Sequence, residues 1–208
     1  HDYVLSGFRA VAEWASEEFD INQDNGFQEL HNLFDEGIQG NTFNIWLENH
    51  GLSDTYVEHC IRVYRSHQPN LTPYPDVLET LNDLKSSYKF GLISDGYLHV
   101  QEKKWASLGL DSYFNTVTFS DKWGRQNWKP STTPYIHTQQ MLETEYMVYV
   151  ADNLSKDFFG ARQCNWGTVH IQRGDGQYKD KIAPSIEYEP DAVISTLREL
   201  RNTLSTLL

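Results

Sequence analysis

Short apolar runs alternate with helical patterns from Pro75 to the end of the chain. The apolar runs occupy residues 90–93, 116–119, 147–150 and 168–171, with a last short one at 193–194. Runs of this length suit buried strands, whereas the segments between them place apolar residues at helical spacing. Strands that alternate with helices are typical of a parallel sheet with helices on its faces. We therefore predict an α/β fold for residues 71–208.

The first part of the chain has a different pattern. Apolar residues recur there every three or four positions, as in the stripe that contains Val4, Phe8, Val11 and Phe19. This spacing predicts amphipathic helices and no strand over residues 1–70. Three prolines between His67 and Pro75 interrupt the pattern, and we expect a linker there. The predicted organisation is a helical domain at 1–70 followed by the α/β domain at 71–208.

Charge and cysteine content exclude several classes of protein. The 17 Lys and Arg residues against 29 Asp and Glu give a net charge of −12, which argues against a nucleic-acid partner because phosphate contacts need clustered cations. No apolar run approaches the roughly 20 residues of a membrane span, so no membrane partner is expected. Two cysteines cannot build a disulfide framework, which favours the cytoplasm. The sequence does not indicate an oligomeric state.

Polar side chains follow three of the predicted strands or their loops. Ser94, Asp95 and Gly96 come directly after Ile93, and Lys129 lies in the loop that follows the second strand. In parallel sheets, ligands bind beyond the carboxyl ends of the strands, so these residues are candidates for substrate binding. Each also has a structural explanation, since Ser94 suits a turn or helix N-cap and Lys129 suits a solvated loop charge.

A pair of carboxylates follows the third predicted strand. Asp152 comes two residues after Val150, and Asp157 lies one helical turn further on. Alone, the two acids could cap the helix predicted at 156–164. Together with a hydroxyl and a lysine at the same sheet edge, they suit a phosphate group beside Mg²⁺, which uses one or two carboxylates plus phosphate oxygen and water. Asp152 and Asp157 are the predicted metal ligands.

Three short motifs carry a resemblance to a known superfamily. They are Leu-Ile-Ser-Asp-Gly at Ser94, Trp-Lys-Pro at Lys129, and the segment from Val150 to Asp157. In this order they resemble motifs II, III and IV of the haloacid dehalogenase (HAD) superfamily. The resemblance implies a three-layer α/β core with an inserted helical cap, and a magnesium-dependent hydrolase of a small phosphorylated metabolite through an aspartyl-phosphate intermediate.

The resemblance also implies a role for each residue. Ser94 would hydrogen-bond the transferring phosphoryl group, and Lys129 would neutralise its charge. Asp152 would bind magnesium, while Asp157 would support the metal and position Lys129. A dehalogenase is a less favoured alternative, because two carboxylates suited to a metal favour a phosphatase.

One motif of the superfamily is missing. Its members begin with an apolar strand ending in Asp-x-Asp, which supplies the nucleophile, yet no two aspartates in this chain lie two positions apart. The first residues, from His1 to Phe8, resemble the stretch that follows that motif. Two explanations stay open: a leading segment with the motif is missing from these residues, or the protein binds a phosphorylated ligand or partner without catalysis. The complete supporting set, Ser94, Lys129, Asp152 and Asp157, favours the first.

The fourth motif differs from its usual form at two positions. Ala151 and Leu154 stand where glycine and proline are usual, and neither change removes a reacting group.

Overall fold

The structure is a computed structural model that describes residues 1–207. The chain forms two units, His1–Thr72 and Pro73–Leu208. The first unit is helical and the second contains every strand of the described residues. None of the helices in residues 1–207 combines the length and the apolar character that a bilayer-spanning segment requires.

The helical unit has four α-helices: α1 (Asp2–Phe19), α2 (Gln23–Asp35), α3 (Thr42–Asn49) and α4 (Val57–Ser66), with a 3₁₀ turn at Asp54–Tyr56. The predicted stripes form its core. Phe8 and Val11 on α1 are buried together with Leu30, Trp46 and Cys60 from the other helices. Asn22 begins α2 as an N-cap, because its side chain accepts a hydrogen bond from the backbone N–H of Asn25 at 3.0 Å.

The α/β unit alternates helices and strands over most of its length. Its elements in order are α5 (Pro75–Leu84), β1 (Gly91–Ser94), α6 (Leu98–Leu108), β2 (Thr116–Phe119), α7 (Thr133–Leu142), β3 (Val148–Ala151), α8 (Asp157–Gln163), β4 (Gly167–Ile171), β5 (Ala192–Ile194) and α9 (Leu200–Leu207). Pro75 is the first residue of α5, where its missing N–H costs nothing. The first and third strands each begin one residue later than predicted, at Gly91 and Val148.

The strands form two parallel sheets instead of one. β1 pairs with β2, so that Ser94 lies beside Phe119, and this sheet has two strands. The other sheet has three strands in the order β3-β4-β5, in which Ala151 lies beside His170. Within the described residues, β1 and β3 each have a strand partner on one side only. Their other edges therefore leave backbone hydrogen-bonding groups without a strand neighbour.

Side chains of β3 alternate between two apolar clusters. Val148 and Val150 pack against the cluster that contains Val169 and Ile194. Tyr149, between them in sequence, packs against the cluster of Ile93, Tyr135, Ala161 and Trp166. This alternation follows from the two-residue period of a strand. It places the Tyr149 hydroxyl on the opposite side of β3 from the valines.

Candidate active site

Lys129 lies at the centre of the polar residues beyond the strand ends. Its ammonium nitrogen is 2.7 Å from Asp157 Oδ1 and donates to the Tyr149 hydroxyl at 3.1 Å. The lysine side chain is 9% exposed and that of Asp157 is 3% exposed. The structure therefore brings together Lys129 and Asp157, and the lysine is a buried, paired charge instead of a solvated one.

Burial and its partners have opposite effects on the pKa of Lys129. Desolvation alone would lower this pKa, but Tyr149 and the carboxylates of Asp157 and Asp95 raise it above its ordinary value. Burial raises the pKa of Tyr149 to about 12, although the Lys129 ammonium lowers it. Lys129 is consequently a permanent positive charge at neutral pH, which suits stabilisation of an anion and not proton transfer.

Both carboxylate oxygens of Asp157 already have partners. Oδ1 forms the ion pair with Lys129, and Oδ2 accepts from the backbone N–H of Asn153 at 3.0 Å. The backbone carbonyl of Asp157 accepts from the buried Tyr135 hydroxyl at 2.5 Å. Asp157 thus begins α8 and fixes the loop that holds Asp152. These contacts suit a residue that positions other groups.

Close packing holds this end of α8 against the loop after Lys129. A Cβ built on Gly160 would lie 2.5 Å from the Tyr135 ring and 2.7 Å from the Pro130 carbonyl oxygen. No side chain fits in that space, so the approach of the two segments depends on glycine.

Asp152 is the carboxylate at this edge that stays open. It is exposed, and within residues 1–207 its carboxylate forms no ion pair and accepts no hydrogen bond from another residue's side chain. Desolvation by the surrounding residues, followed by the charge of Asp157, raises its pKa. A carboxylate in this position gains from a nearby cation, and oxygen is the ligand atom that Mg²⁺ prefers. The residues therefore fit a magnesium ion in part.

The remaining ligands of such an ion do not come from a ready cluster. No group of three or more His, Cys, Asp or Glu side chains suited to a metal occurs in the described residues 1–207. A magnesium ion here would depend on Asp152, on water and on oxygen atoms from a bound phosphate or another segment.

Ser94, Asp95 and Gly96 lie at the end of β1. The Ser94 hydroxyl donates to Gln101 Oε1 on α6 at 2.9 Å. Ser94 is not a helix N-cap, because α6 begins only at Leu98. Gly96 has φ of 123°, which a residue with a side chain rarely adopts, and it turns the chain from β1 toward α6.

The Asp95 carboxylate faces inward and binds other parts of the protein. Its side chain is 4% exposed and forms an ion pair of 2.9 Å with Lys156. Ser120 donates to Asp95 Oδ1 at 2.7 Å, and the backbone N–H of Lys129 donates to the same oxygen at 3.2 Å. Burial alone would raise the pKa of Asp95, but Lys129, Ser120 and Lys156 outweigh it and lower the pKa.

Sequence reasoning missed the contributions of Tyr149, Ser120 and Lys156. Ser120 directly follows the second predicted strand, and Lys156 lies between the candidate carboxylates Asp152 and Asp157. These positions are the signal that could have identified both residues. Tyr149 lies inside an apolar run, and nothing in the sequence distinguishes its hydroxyl from that of other core tyrosines.

Comparison with known families decides the relationship of this chain. The model of the haloacid dehalogenase-like hydrolases matches residues 8–171. The chain belongs to this family. The match spans both units of the structure and includes all the predicted site residues. It confirms the family that the three short motifs indicate.

Relatives of this chain include named phosphatases. It is 34% identical over 140 residues to the glyceraldehyde 3-phosphate phosphatase of Methanopyrus kandleri, which covers 66% of this chain and 58% of that protein. It is 30% identical over 135 residues to the phosphoglycolate phosphatase of Nitrosococcus oceani, which covers 64% of this chain and 57% of that protein. The matches thus span less than two thirds of either relative.

A solved structure shows the same fold. The 2-haloacid dehalogenase of Pseudomonas syringae superposes with a TM-score of 0.62 and 20% identity, covering 99% of this chain and 92% of that one. The likeness confirms the predicted HAD-like α/β fold.

Proposed function

We propose that this chain carries the catalytic core of a magnesium-dependent phosphate-monoester hydrolase for small phosphorylated metabolites. The observation that carries the proposal is the buried Lys129 ammonium at the strand ends, held by Asp157 and Tyr149. A fixed cation of this kind stabilises charge on phosphoryl oxygens as the transition state forms. The phosphatases at 30% and 34% identity support the same reaction class.

Each residue has a defined task in this proposal. The Ser94 hydroxyl would exchange its bond with Gln101 for a bond to a phosphoryl oxygen, and the loop at Gly96 would let the backbone approach the same group. Lys129 would hold the phosphoryl charge, and Asp157 would keep the ammonium in place. Magnesium, when bound by Asp152, would supply further charge neutralisation.

The nucleophile requires a further structural element. An aspartyl-phosphate forms when a carboxylate oxygen attacks phosphorus while the bond to the leaving alcohol oxygen breaks, and water then releases phosphate. We propose that a parallel strand ending in Asp-x-Asp pairs with the open edges of β1 and β3. That strand would join the two sheets into one and deliver its carboxylate beside Lys129. The 208 residues do not contain this motif.

The helical unit, His1–Thr72, is proposed to be the cap that the resemblance implies. Its core is closed by its own helices, as Phe8, Trp46 and Cys60 show. Substrate selection would then depend on polar or aromatic residues that the unit leaves exposed. The proposed substrate class is a small phosphate monoester.

A non-catalytic phosphate binder is the second candidate. It rests on the same Lys129 ammonium and Ser94 hydroxyl, which could hold a phosphate without turnover. The two candidates differ in whether phosphate is released.

A phosphatase assay on the natural protein that contains these residues tests the proposal. Glyceraldehyde 3-phosphate, 2-phosphoglycolate and p-nitrophenyl phosphate would be supplied with Mg²⁺. We expect turnover that falls by at least ~100-fold in Lys129→Met, since one preorganised charge of this kind is worth that much. Lys181→Met, at an exposed lysine of the same unit, is the matched control and should keep its activity.

Two results would overturn the proposal. The first is no release of phosphate from any of the three compounds by the unmodified protein, with phosphate binding retained, which would establish the binder instead. The second is full activity in Lys129→Met.

A further inference from the structure

Asp95 and Lys156 close a ring of contacts around Lys129. Asp95 Oδ2 forms an ion pair with Lys156 Nζ at 2.9 Å, and Lys156 is joined by a peptide bond to Asp157. Asp157 Oδ1 in turn lies 2.7 Å from Lys129 Nζ. The backbone N–H of Lys129 donates to Asp95 Oδ1 at 3.2 Å, and this hydrogen bond closes the ring. Both ends of Lys129 are therefore fixed by carboxylates that Lys156 connects.

The environment of the two lysines shows that they have different tasks. The Lys129 side chain is 9% exposed and touches Asp157 and Tyr149, whereas that of Lys156 is 33% exposed and touches Asp95. Lys156 is thus more exposed than Lys129, and its ammonium group is paired with the buried Asp95 carboxylate. It is suited to holding Asp95 and not to holding a substrate phosphate.

Asp95 connects segments that are distant in sequence. Its carboxylate joins the end of β1 to Ser120 after β2, to the loop at Lys129 and to the loop after β3. Phosphate is an anion and would be repelled by this carboxylate, so direct substrate binding through the Asp95 side chain is disfavoured. The contacts suit a residue that sets the relative position of the loops.

We infer that Asp95 and Lys156 are a positioning pair that fixes Lys129 for phosphoryl transfer. The expected effect of the pair on turnover rests on the proposed function. The coupling of Lys156 to the Lys129 backbone through Asp95 is a structural claim that does not depend on the proposed function. Asp95 acts through Lys129 and is a positioning residue, in place of the substrate-binding role expected from its place after β1.

Two substitutions that remove a charge, of which Asp95→Asn is isosteric, test the pair separately from its surroundings. Asp95→Asn keeps Oδ1 as an acceptor for Ser120 and Lys129 but removes the charge that holds Lys156. Lys156→Gln removes the other charge. In the double variant, the two amide groups can hydrogen-bond each other, so the connection is partly restored. Lys179→Gln, at an exposed lysine of the same unit, is the matched control.

The first readout needs no catalysis. The backbone amide resonance of Lys129 in a ¹H–¹⁵N spectrum reports its hydrogen bond to Asp95. We expect Lys156→Gln to shift this resonance although Lys156 does not contact that amide, and Lys179→Gln to leave it unchanged. An unchanged Lys129 amide in Lys156→Gln, in a variant whose remaining spectrum is native, would overturn the inference.

The second readout is the split between kcat and KM in the natural protein. We expect kcat to fall about tenfold in each single variant with KM nearly unchanged. A small displacement of a catalytic group slows the chemical step more than it weakens substrate binding. The double variant should be no slower than either single one, and Lys156→Arg should retain most of the rate. A double variant whose loss is the product of the single losses would show that the residues act independently and overturn the pair.

The two proposals fail in distinguishable ways. If the unmodified protein has no turnover, the proposed function fails while the Lys129 amide still reports on the pair. If turnover is present and depends on Lys129, but Lys156→Gln changes neither the Lys129 amide resonance nor kcat, only the positioning pair fails.

Discussion

Asp76 and Asp95 are two buried carboxylates of the α/β unit with opposite surroundings. Asp76 accepts two hydrogen bonds from Arg173, at 2.8 and 3.0 Å, and further bonds from Thr196 and the Leu197 backbone. No second carboxylate takes part, so one negative charge meets one positive charge. Asp95 instead shares its region with Asp157 and the exposed Asp152.

The charge balance differs between the two regions. Three carboxylates at the strand ends, those of Asp95, Asp152 and Asp157, face the two ammonium groups of Lys129 and Lys156. The sum of +2 and −3 leaves one negative charge at the open Asp152. Around Asp76 the sum is zero and the geometry is closed. An unbalanced negative charge beside a fixed cation suits the Mg²⁺ and phosphate of the proposed site.

The largest effect on stability is expected at Asp76. Asp76→Ala leaves Arg173 without its partner in a partly buried position, and removal of one member of a buried pair typically costs about 3–5 kcal/mol of the free energy of unfolding. Glu79→Ala, on the same helix, removes an exposed pair with Arg198 and should cost less than about 0.5 kcal/mol. Urea unfolding of both variants measures the difference. Equal losses would contradict the contrast drawn between buried and exposed pairs.

The pH dependence of stability should also come partly from Asp76. Burial would raise its pKa, but the bonds from Arg173, Thr196 and Leu197 lower it to about 2. Because the folded pKa lies below the usual value of about 3.9, the ionised form stabilises the fold above pH ~4 and this contribution is lost as pH falls toward ~2. It amounts to about 2 to 3 kcal/mol.

Asp76→Asn separates this contribution from those of the other acids. The difference in unfolding free energy between the unmodified protein and Asp76→Asn should shrink between pH 5 and pH 2. A difference that stays constant across this range would mean that Asp76 has an ordinary pKa in the folded protein.

The smallest effect on stability is expected at Asp152. This carboxylate forms no ion pair within residues 1–207, and desolvation followed by the charge of Asp157 raises its pKa. Without divalent cations, Asp152→Asn should leave the unfolding free energy unchanged or raise it by up to about 0.5 kcal/mol, since solvent screens an exposed charge. A loss above about 1 kcal/mol would show that Asp152 supports the fold.

The sequence predicts the location of the site better than its internal contacts. Ser94 ends β1 and Asp152 directly follows β3, so the apolar runs and the rule for parallel sheets are enough to place each residue at the carboxyl end of a strand. The partners of Asp95 are different, because they lie 25, 34 and 61 residues away in sequence. Such contacts depend on the packing of whole elements, which local patterns do not report.

The division into two sheets illustrates the same limit. The apolar runs predict each strand to within one or two residues, but the pairing of strands depends on which neighbours are present. The apolar runs of β1 and β3 both predict buried strands. Neither run indicates that one edge of each strand has no strand partner within the described residues.

Turnover by Asp152→Asn in the natural protein tests the central claim most directly. The claim is that the strand ends of the α/β unit form a phosphoryl-transfer site whose open carboxylate holds magnesium. The account predicts that kcat with Mg²⁺ falls at least ~100-fold in Asp152→Asn, while the fold stays intact and Asp175→Asn, at an exposed loop aspartate, keeps its activity. Undiminished turnover in Asp152→Asn, with the same dependence on Mg²⁺, would contradict it.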